Sequence, residues 1–155
     1  MLKRILTVSI LLVAFAAAPA FSQSWGVGPL FRGSVVGGFG GDLGISVQGS
    51  NLPFTLGIDV SSTLNRIGAT ADWYAIDQNL EGDVNWYFGP GVYAGLNLSA
   101  TTISAGARAP LGLYWFANEA IELFGEVTPT LSVISGNDIY LGLGLQPALG
   151  LRFWF

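Results

Sequence analysis

Nine charged side chains recur at spacings that suit ion pairing. Beyond residue 22, the 155-residue chain has four arginines, no lysine and ten acids. All four arginines and half of the acids fall on one face of segments in which apolar residues alternate with small or polar ones. Burying such charges costs several kcal/mol each unless they are paired. The sequence therefore predicts an interior network of Arg32, Asp42, Asp59, Arg66, Asp72, Arg108, Glu122, Glu126 and Arg152.

Partners within this network follow from hairpin geometry. Antiparallel neighbours joined by a short turn bring residues on the same face into register. Three pairs are predicted in this way: Arg108 with Glu126, Glu122 with Arg152, and Arg66 with Asp59. We interpret the network as a structural plug, and a polar pore or a ligand site is the alternative.

Two residue types that are common in catalytic sites are missing from the chain. There is no histidine and no cysteine, which removes the commonest base, the commonest metal ligand and any thiolate. A serine or threonine without a base is a weak nucleophile. We expect no catalytic residue, no metal site and no cofactor. Four arginines against ten acids give a formal charge of −6 beyond residue 22 without a basic stripe, so nucleic acid is not an expected partner.

A two-residue period positions the charged side chains. Its clearest instance runs from Ile139 to Phe155, where large apolar residues alternate with small or polar ones. Similar segments are separated by clusters of Gly, Asn, Asp and Ser. We expect eight strands, near 25–36, 41–48, 53–61, 64–76, 84–97, 101–115, 121–133 and 139–155.

The face of these strands opposite the large apolar residues distinguishes a membrane barrel from a soluble one. In a secreted lipocalin-like barrel it would meet water and carry Lys, Glu and Thr. Here it is mostly glycine with tyrosine and a few charges, which suits the cramped interior of an eight-stranded barrel. No apolar run beyond the start of the chain reaches the ~20 residues of a spanning helix. The sequence predicts an all-β protein with one domain, an eight-stranded antiparallel up-and-down transmembrane β-barrel over residues 23–155.

The first residues have the pattern of a cleavable signal peptide. Lys3 and Arg4 precede an apolar run, and small residues fit cleavage after Ala20 or Ser22. We expect residues 1–22 to be removed during export through the inner membrane, and the barrel to reside in the bacterial outer membrane.

Aromatic residues on the apolar face cluster toward one end. If the strands alternate up and down from a periplasmic start, this end is periplasmic, and such a girdle is typical of outer-membrane barrels. Its members are Trp25, Phe54, Trp73, Trp86, Phe88, Trp115, Phe153 and Phe155. Four mid-strand prolines fall at similar heights and predict a row of bulges or bends: Pro90, Pro110, Pro129 and Pro147.

Three short motifs lie in the last strands. They consist of Arg108, Pro110, Gly112 and Leu113; Glu126 and Pro129; and Gly150, Arg152 and Phe155. From Asp72 and Trp73 onward the chain resembles the small outer-membrane barrels of OmpA and OmpX architecture. It most resembles an outer-membrane family of unknown function with R-x-P-x-G-L, E-x-x-P and closing G-x-R-x-x-F motifs. This resemblance implies fold and location and brings no catalytic residue.

The final strand also resembles the assembly signal read by the outer-membrane insertion machinery. Gly150, Phe153 and Phe155 match that signal, and Ala148 stands where a polar residue is usual. The resemblance implies outer-membrane lipid and the assembly machinery as partners. No protein ligand is indicated, because the expected outer loops, at 37–40, 62–63, 98–100 and 134–138, are very short. The expected function is that of a non-enzymatic outer-membrane barrel, structural or surface-exposed, with a narrow pore and a soluble ligand-binding barrel as alternatives.

Overall fold

A computed structural model describes residues 24–35, 40–136 and 138–155. The expected signal peptide and most of the loop expected at 37–40 lie outside these residues. Within the described ranges, no helix is long and apolar enough to cross a membrane.

In the residues that the structure describes, eleven antiparallel β-strands form one closed sheet. They are β1 (Trp25–Ser34), β2 (Gly40–Gly49), β3 (Phe54–Ser61), β4 (Arg66–Trp73), β5 (Ile76–Glu81), β6 (Val84–Phe88), β7 (Gly91–Asn97), β8 (Thr102–Arg108), β9 (Leu111–Asn118), β10 (Ile121–Ser135) and β11 (Ile139–Trp154). β4 with β5, β6 with β7, and β8 with β9 are each two parts of one barrel strand, which leaves eight positions around the barrel. β11 pairs with both β10 and β1 and thereby closes it. The prediction of an all-β, eight-stranded antiparallel barrel is confirmed.

The strands are staggered by ten residues around the barrel. A path of paired residues leaves β11 at Gly150 and returns to β11 at Tyr140. It passes through Leu30, Gly44, Asp59, Gly68, Gly95, Ser104 and Ile134. Such a stagger tilts the strands against the barrel axis. Because ten is even, a residue that faces inward keeps inward-facing neighbours all the way round.

Apolar side chains are on the outside of this barrel and polar ones on the inside. In the described residues, thirty large hydrophobic side chains are exposed, whereas the buried set has five apolar members and fourteen polar or charged ones. The outer belt is the exposed apolar set on the strands, for example Leu43, Ile58, Val92, Leu131 and Leu143. This distribution is the reverse of that in a water-soluble domain.

The fourth barrel strand is longer than predicted. We expected it to end at residue 76, but β5 continues to Glu81 and the chain turns at Gly82, which has φ +57°. Asp77 and its neighbours resemble turn residues in sequence, yet they pair with β6. All side chains of β5 are exposed, so polar residues are tolerated there, and Asp77 accepts a hydrogen bond from the Tyr114 hydroxyl at 2.8 Å.

The row of irregularities expected at the prolines is present in part. A proline carbonyl can accept a backbone hydrogen bond from the preceding strand, but its nitrogen cannot return one. Three such one-sided contacts run across adjacent strands: Trp73 to Pro90 at 2.8 Å, Gly89 to Pro110 at 3.3 Å and Ala109 to Pro129 at 3.1 Å. The first two prolines separate β6 from β7 and β8 from β9. β10 and β11 pair through Pro129 and Pro147 without a register shift, so these two prolines produce no bulge between β10 and β11.

Candidate functional site: the charged lumen

Arg108 lies at the centre of the lumen between two carboxylates. Its Nη2 donates to Glu126 Oε1 at 2.7 Å, and its Nε is 2.9 Å from Asp72 Oδ1. A second donor to Glu126 is the Tyr87 hydroxyl, at 2.7 Å from Oε2. Nη2 also lies 3.2 Å from the Thr128 hydroxyl. Both oxygens of Glu126 are therefore occupied by donors in a site closed to solvent, as a buried charge requires.

Arg152 forms a second buried centre closer to the aromatic end. It pairs with Glu122 at 2.5 Å, and the Trp154 indole N–H donates to the other oxygen of Glu122 at 2.6 Å. Its Nε donates to Ser46 at 3.0 Å. The guanidinium also lies 4.0 Å from the centroid of the Phe124 ring, a cation–π geometry. Both members of this ion pair are almost completely buried.

Two further pairs lie toward the opposite end of the lumen. Arg32 pairs with Asp59 and also approaches the Thr70 hydroxyl at 3.4 Å. Arg66 pairs with Asp42, so the predicted pairing of Arg66 with Asp59 is wrong. The Arg66 side chain is 40% exposed and lies at the barrel rim, unlike the other three arginines.

The structure thus places the nine predicted charges in four ion-paired groups, with eight of them buried and Arg66 at the rim. Two groups contain the pairs expected from hairpin register, Arg108 with Glu126 and Glu122 with Arg152. Asp72 joins the first of these, although its strand is not a hairpin partner of either residue.

Inward-facing glycines make room for these side chains. A Cβ at Gly91 would overlap the Asp72 carboxylate and lie 3.0 Å from Arg108 Cγ. A Cβ at Gly112 would overlap the Tyr87 ring. Glycine at these two positions is therefore explained by close contacts with large lumen side chains.

Tyrosines in the lumen were not among the residues singled out by sequence. Tyr87 is fully buried and stacks on Tyr74 with ring centroids 4.0 Å apart. Tyr114 lies 6.2 Å from Tyr87. Strand parity places all three on the inward face, so the alternation contained the signal that would have identified them.

A gap at mid-height of the lumen is small. The gap among Leu30, Arg32, Thr55, Phe124 and Arg152 has a volume of about 10 Å³, which is room for about one water molecule.

A larger space lies between the Arg32–Asp59 pair and the barrel end where Ser34 and Arg66 lie. We call this space the upper cavity, and its volume is about 200 Å³. Its wall includes Arg32, Asp42, Asp59, Arg66, Tyr93 and Gln146, together with glycines and serine or threonine hydroxyls.

The eight aromatic residues expected as a girdle lie at the other end of the barrel. Trp25, Phe153 and Phe155 lie at the β1–β11 closure. Phe54 follows the turn at 50–53 and pairs with Trp73. Trp86 and Phe88 lie on β6, and Trp115 pairs with Val84 of that strand. The rings of Trp25, Phe54, Trp73, Phe88 and Trp115 are exposed, and those of Trp86, Phe153 and Phe155 are half-buried.

The closing strand is tied to β1 at this same end. Phe155 donates its backbone N–H to Trp25 O at 3.1 Å and accepts from the Trp25 and Ser24 N–H groups at 3.1 and 2.9 Å. Phe153 is paired with Val27, and Gly150 with Leu30. A Cβ at Gly150 would overlap the Phe124 ring.

Comparisons with known proteins add the following. No family model matches the chain, and no curated protein matches it. Among solved structures, the crystal structure of Neisserial surface protein A (NspA) is similar, with 13% sequence identity, a TM-score of 0.49, and coverage of 86% of this chain and 98% of that one.

Proposed function

We propose that this protein is a non-enzymatic barrel of the bacterial outer membrane, structural or surface-exposed, whose lumen is closed at mid-height by arginine–carboxylate pairs. Outer-membrane lipid is its proposed environment. The outer-membrane assembly machinery is its proposed partner through β11 and Phe155.

The outer belt is the observation that carries this proposal. Water offers no favourable environment for a continuous ring of exposed Leu, Ile and Val side chains, and such patches on soluble proteins are rarely larger than a few hundred Å². A bilayer offers such an environment, because its hydrocarbon core is as apolar as these side chains. Closure of the sheet leaves no unpaired barrel edge along the belt, as a membrane-spanning β-structure requires.

The buried charges argue against a soluble ligand-binding barrel. A lipocalin-like protein would place its apolar side chains inside, whereas this lumen contains Arg32, Asp72, Arg108, Glu126 and Arg152.

The same charges favour a closed lumen over a narrow pore. A water-filled pore hydrates its lining charges, whereas Arg108 and Arg152 have carboxylate partners at 2.5–2.9 Å and almost no solvent contact. The mid-height gap of about 10 Å³ offers no room for a hydrated ion. The absence of histidine and cysteine from the sequence supports a non-enzymatic role.

A conductance recording combined with a double-mutant cycle tests the closed lumen. The refolded protein is expected to be silent in a planar bilayer. Glu122→Gln and Arg152→Met are each expected to cost about 3–5 kcal/mol of unfolding free energy, because each leaves a buried charge unpaired. The double variant is expected to be much milder, which gives a strong coupling energy.

The pair of Asp42 and Arg66 provides a matched control. Because Arg66 is 40% exposed, solvent screens this pair and its coupling is expected to be below about 1 kcal/mol. Ion-selective conductance of the wild type, together with equal and small coupling in both cycles, would show a hydrated pore and refute the closed lumen.

A further inference from the structure

We propose that strand β5 is a docking edge for an extended segment of another protein, rich in lysine or arginine, which adds to the sheet as one more strand. The placement of this edge on the periplasmic side rests on the proposed function, whereas the docking itself does not.

One edge of β5 has no neighbouring strand. β5 is the last strand in the order of the sheet and, within the described ranges, pairs only with β6. On its other side the barrel wall ends early, because β3 begins at Phe54, opposite Trp73 of β4. The backbone N–H of Tyr74 still donates to Pro53 O at 2.7 Å. From Ile76 onward, β5 extends beyond the β2–β3 turn, and such an edge presents backbone N–H and C=O groups to any strand that approaches.

The edge is accessible and already extended. All six side chains of β5 are exposed, including the apolar ones of Leu80 at 63% and Ile76 at 38%. The Asn79 side-chain amide donates to Gly82 O at 2.7 Å and to Asn85 Oδ1 at 3.1 Å, which holds the β5–β6 hairpin together. A strand fixed in this way needs little ordering before a partner adds to it.

A bulge limits the length of the edge. The pairing of β5 with β6 shifts in register between Asn79 and Glu81, which leaves Leu80 as the extra residue. Bulges and charges on an edge strand oppose indiscriminate pairing. Regular pairing is therefore expected along residues 76–79, which suits a short segment of a partner and not the long edge of another sheet.

The charges at this end of the barrel point to a basic partner. The end with the aromatic girdle has four exposed acids, Asp77, Glu81, Asp83 and Glu119. Among the described residues it has no exposed base, because three of the four arginines are buried and Arg66 lies at the opposite rim. A basic segment is attracted to this end, whereas a second copy of the same acidic edge is repelled.

The two faces of β5 predict an alternating partner. Ile76 and Gln78 are paired with the outward Phe88 and Trp86, whereas Asp77 is paired with the inward Tyr87. Side chains of an added strand alternate between these two faces. A basic residue beside Asp77 would therefore be flanked by apolar residues beside Ile76 and Gln78.

Titration of the detergent-solubilised protein with short synthetic peptides, followed by fluorescence anisotropy, tests the proposal. The probe alternates lysine with valine. One control is the same peptide with every backbone nitrogen methylated, which keeps the side chains and the charge but has no backbone donor. A second control replaces lysine by glutamate. We expect saturable binding of the lysine peptide that weakens with added salt, and binding of both controls that is weaker by about tenfold or more.

Amide hydrogen exchange shows where the peptide binds. In the free protein, the β5 amides that point away from β6 should exchange rapidly, because water is their partner. The lysine peptide should slow the exchange of alternate amides among residues 76–79. Amides of the 98–100 turn, at the opposite end of the barrel, should be unchanged.

Exposed charges supply variants that keep the fold. The combined variant Glu81→Gln, Asp83→Asn and Glu119→Gln should weaken binding of the lysine peptide about tenfold at low salt, because it removes three of the four exposed acids at this end. Asp138→Asn, a matched change of an exposed acid at the opposite end, should leave binding unchanged.

Four results would overturn the proposal. They are no saturable binding of the lysine peptide, equal binding of either control peptide, binding without protection of β5 amides, and dimerisation of the protein through β5 in place of peptide binding. None of them depends on membrane location, so the proposed function would stand. Conversely, a soluble barrel that bound the peptide along β5 would refute the proposed function and leave the docking edge intact.

Discussion

An arginine in the middle of the outer belt is expected to destabilise the barrel in a way that depends on depth. Ile58 lies in the middle of β3 and is 61% exposed. Ile139, the first residue of β11, is 75% exposed and lies at the end opposite the aromatic girdle. Arginine costs about 2–4 kcal/mol at the midplane of a membrane barrel and about 0–1 kcal/mol near the interface. Ile58→Arg should therefore lower the free energy of unfolding by about 2–4 kcal/mol and Ile139→Arg by about 0–1 kcal/mol.

The assay is reversible guanidinium unfolding of protein refolded into lipid vesicles, followed by the fluorescence of its five tryptophans. Ile58→Gln serves as a control that removes the apolar side chain without adding a charge. If this face met water, arginine at either exposed position would change stability by less than about 0.5 kcal/mol. Equal, small effects at Ile58 and Ile139 would refute the membrane placement of the belt.

Further predictions concern the lumen and the barrel closure. Gly112→Ala should cost about 1–3 kcal/mol by forcing the Tyr87 ring to move. Gly125→Ala should cost less in the same unfolding assay, because its close contact, at 3.1 Å, is with the flexible end of the outward Leu149 side chain. Tyr87→Phe should cost about 1–3 kcal/mol, because the carboxylate that its hydroxyl contacts loses a buried donor; unchanged stability would show that water replaces the hydroxyl. Deleting Phe155 removes the backbone hydrogen bonds to Trp25 and should reduce the folded, heat-modifiable fraction in cells, and an unchanged membrane yield would contradict a role in closure.

Register explains which ion pairs the sequence could predict. Glu122 and Arg152 are direct cross-strand partners of a hairpin, and Arg108 and Glu126 lie on two strands joined by one turn. Parity and turn position suffice for such neighbours.

Ion pairs between strands that are not neighbours could be identified only from the three-dimensional structure. Arg32 lies directly opposite Asp42 on β2, yet it reaches past that strand to Asp59 on β3. Glycine at position 57 of β3 leaves room for the Thr70 hydroxyl, which the Arg32 guanidinium approaches, since a Cβ there would lie 2.6 Å from that hydroxyl oxygen. Asp42 is then left to pair with Arg66. Contacts of this kind depend on lumen width and on small neighbours, which a hairpin argument does not contain.

The boundaries of the barrel strands were less predictable than their faces. Alternation placed side chains correctly inside or outside because one buried face fixes the parity of a whole strand. Alternation did not identify β5 as a strand, because both of its faces are exposed and burial imposes no pattern on its sequence.

Accessibility of single cysteines along β10 tests the inside-out barrel most directly, because the chain has no native cysteine. Spin labels at Leu131 and Val133, which are exposed, should collide with lipid-dissolved oxygen in vesicles and be protected from a water-soluble nickel chelate. Labels at Thr130 and Ser132, which are buried, should be protected from oxygen. A two-residue alternation of oxygen accessibility is the predicted result. Nickel accessibility at Leu131 and Val133, without that alternation, would contradict a barrel whose apolar face meets the membrane.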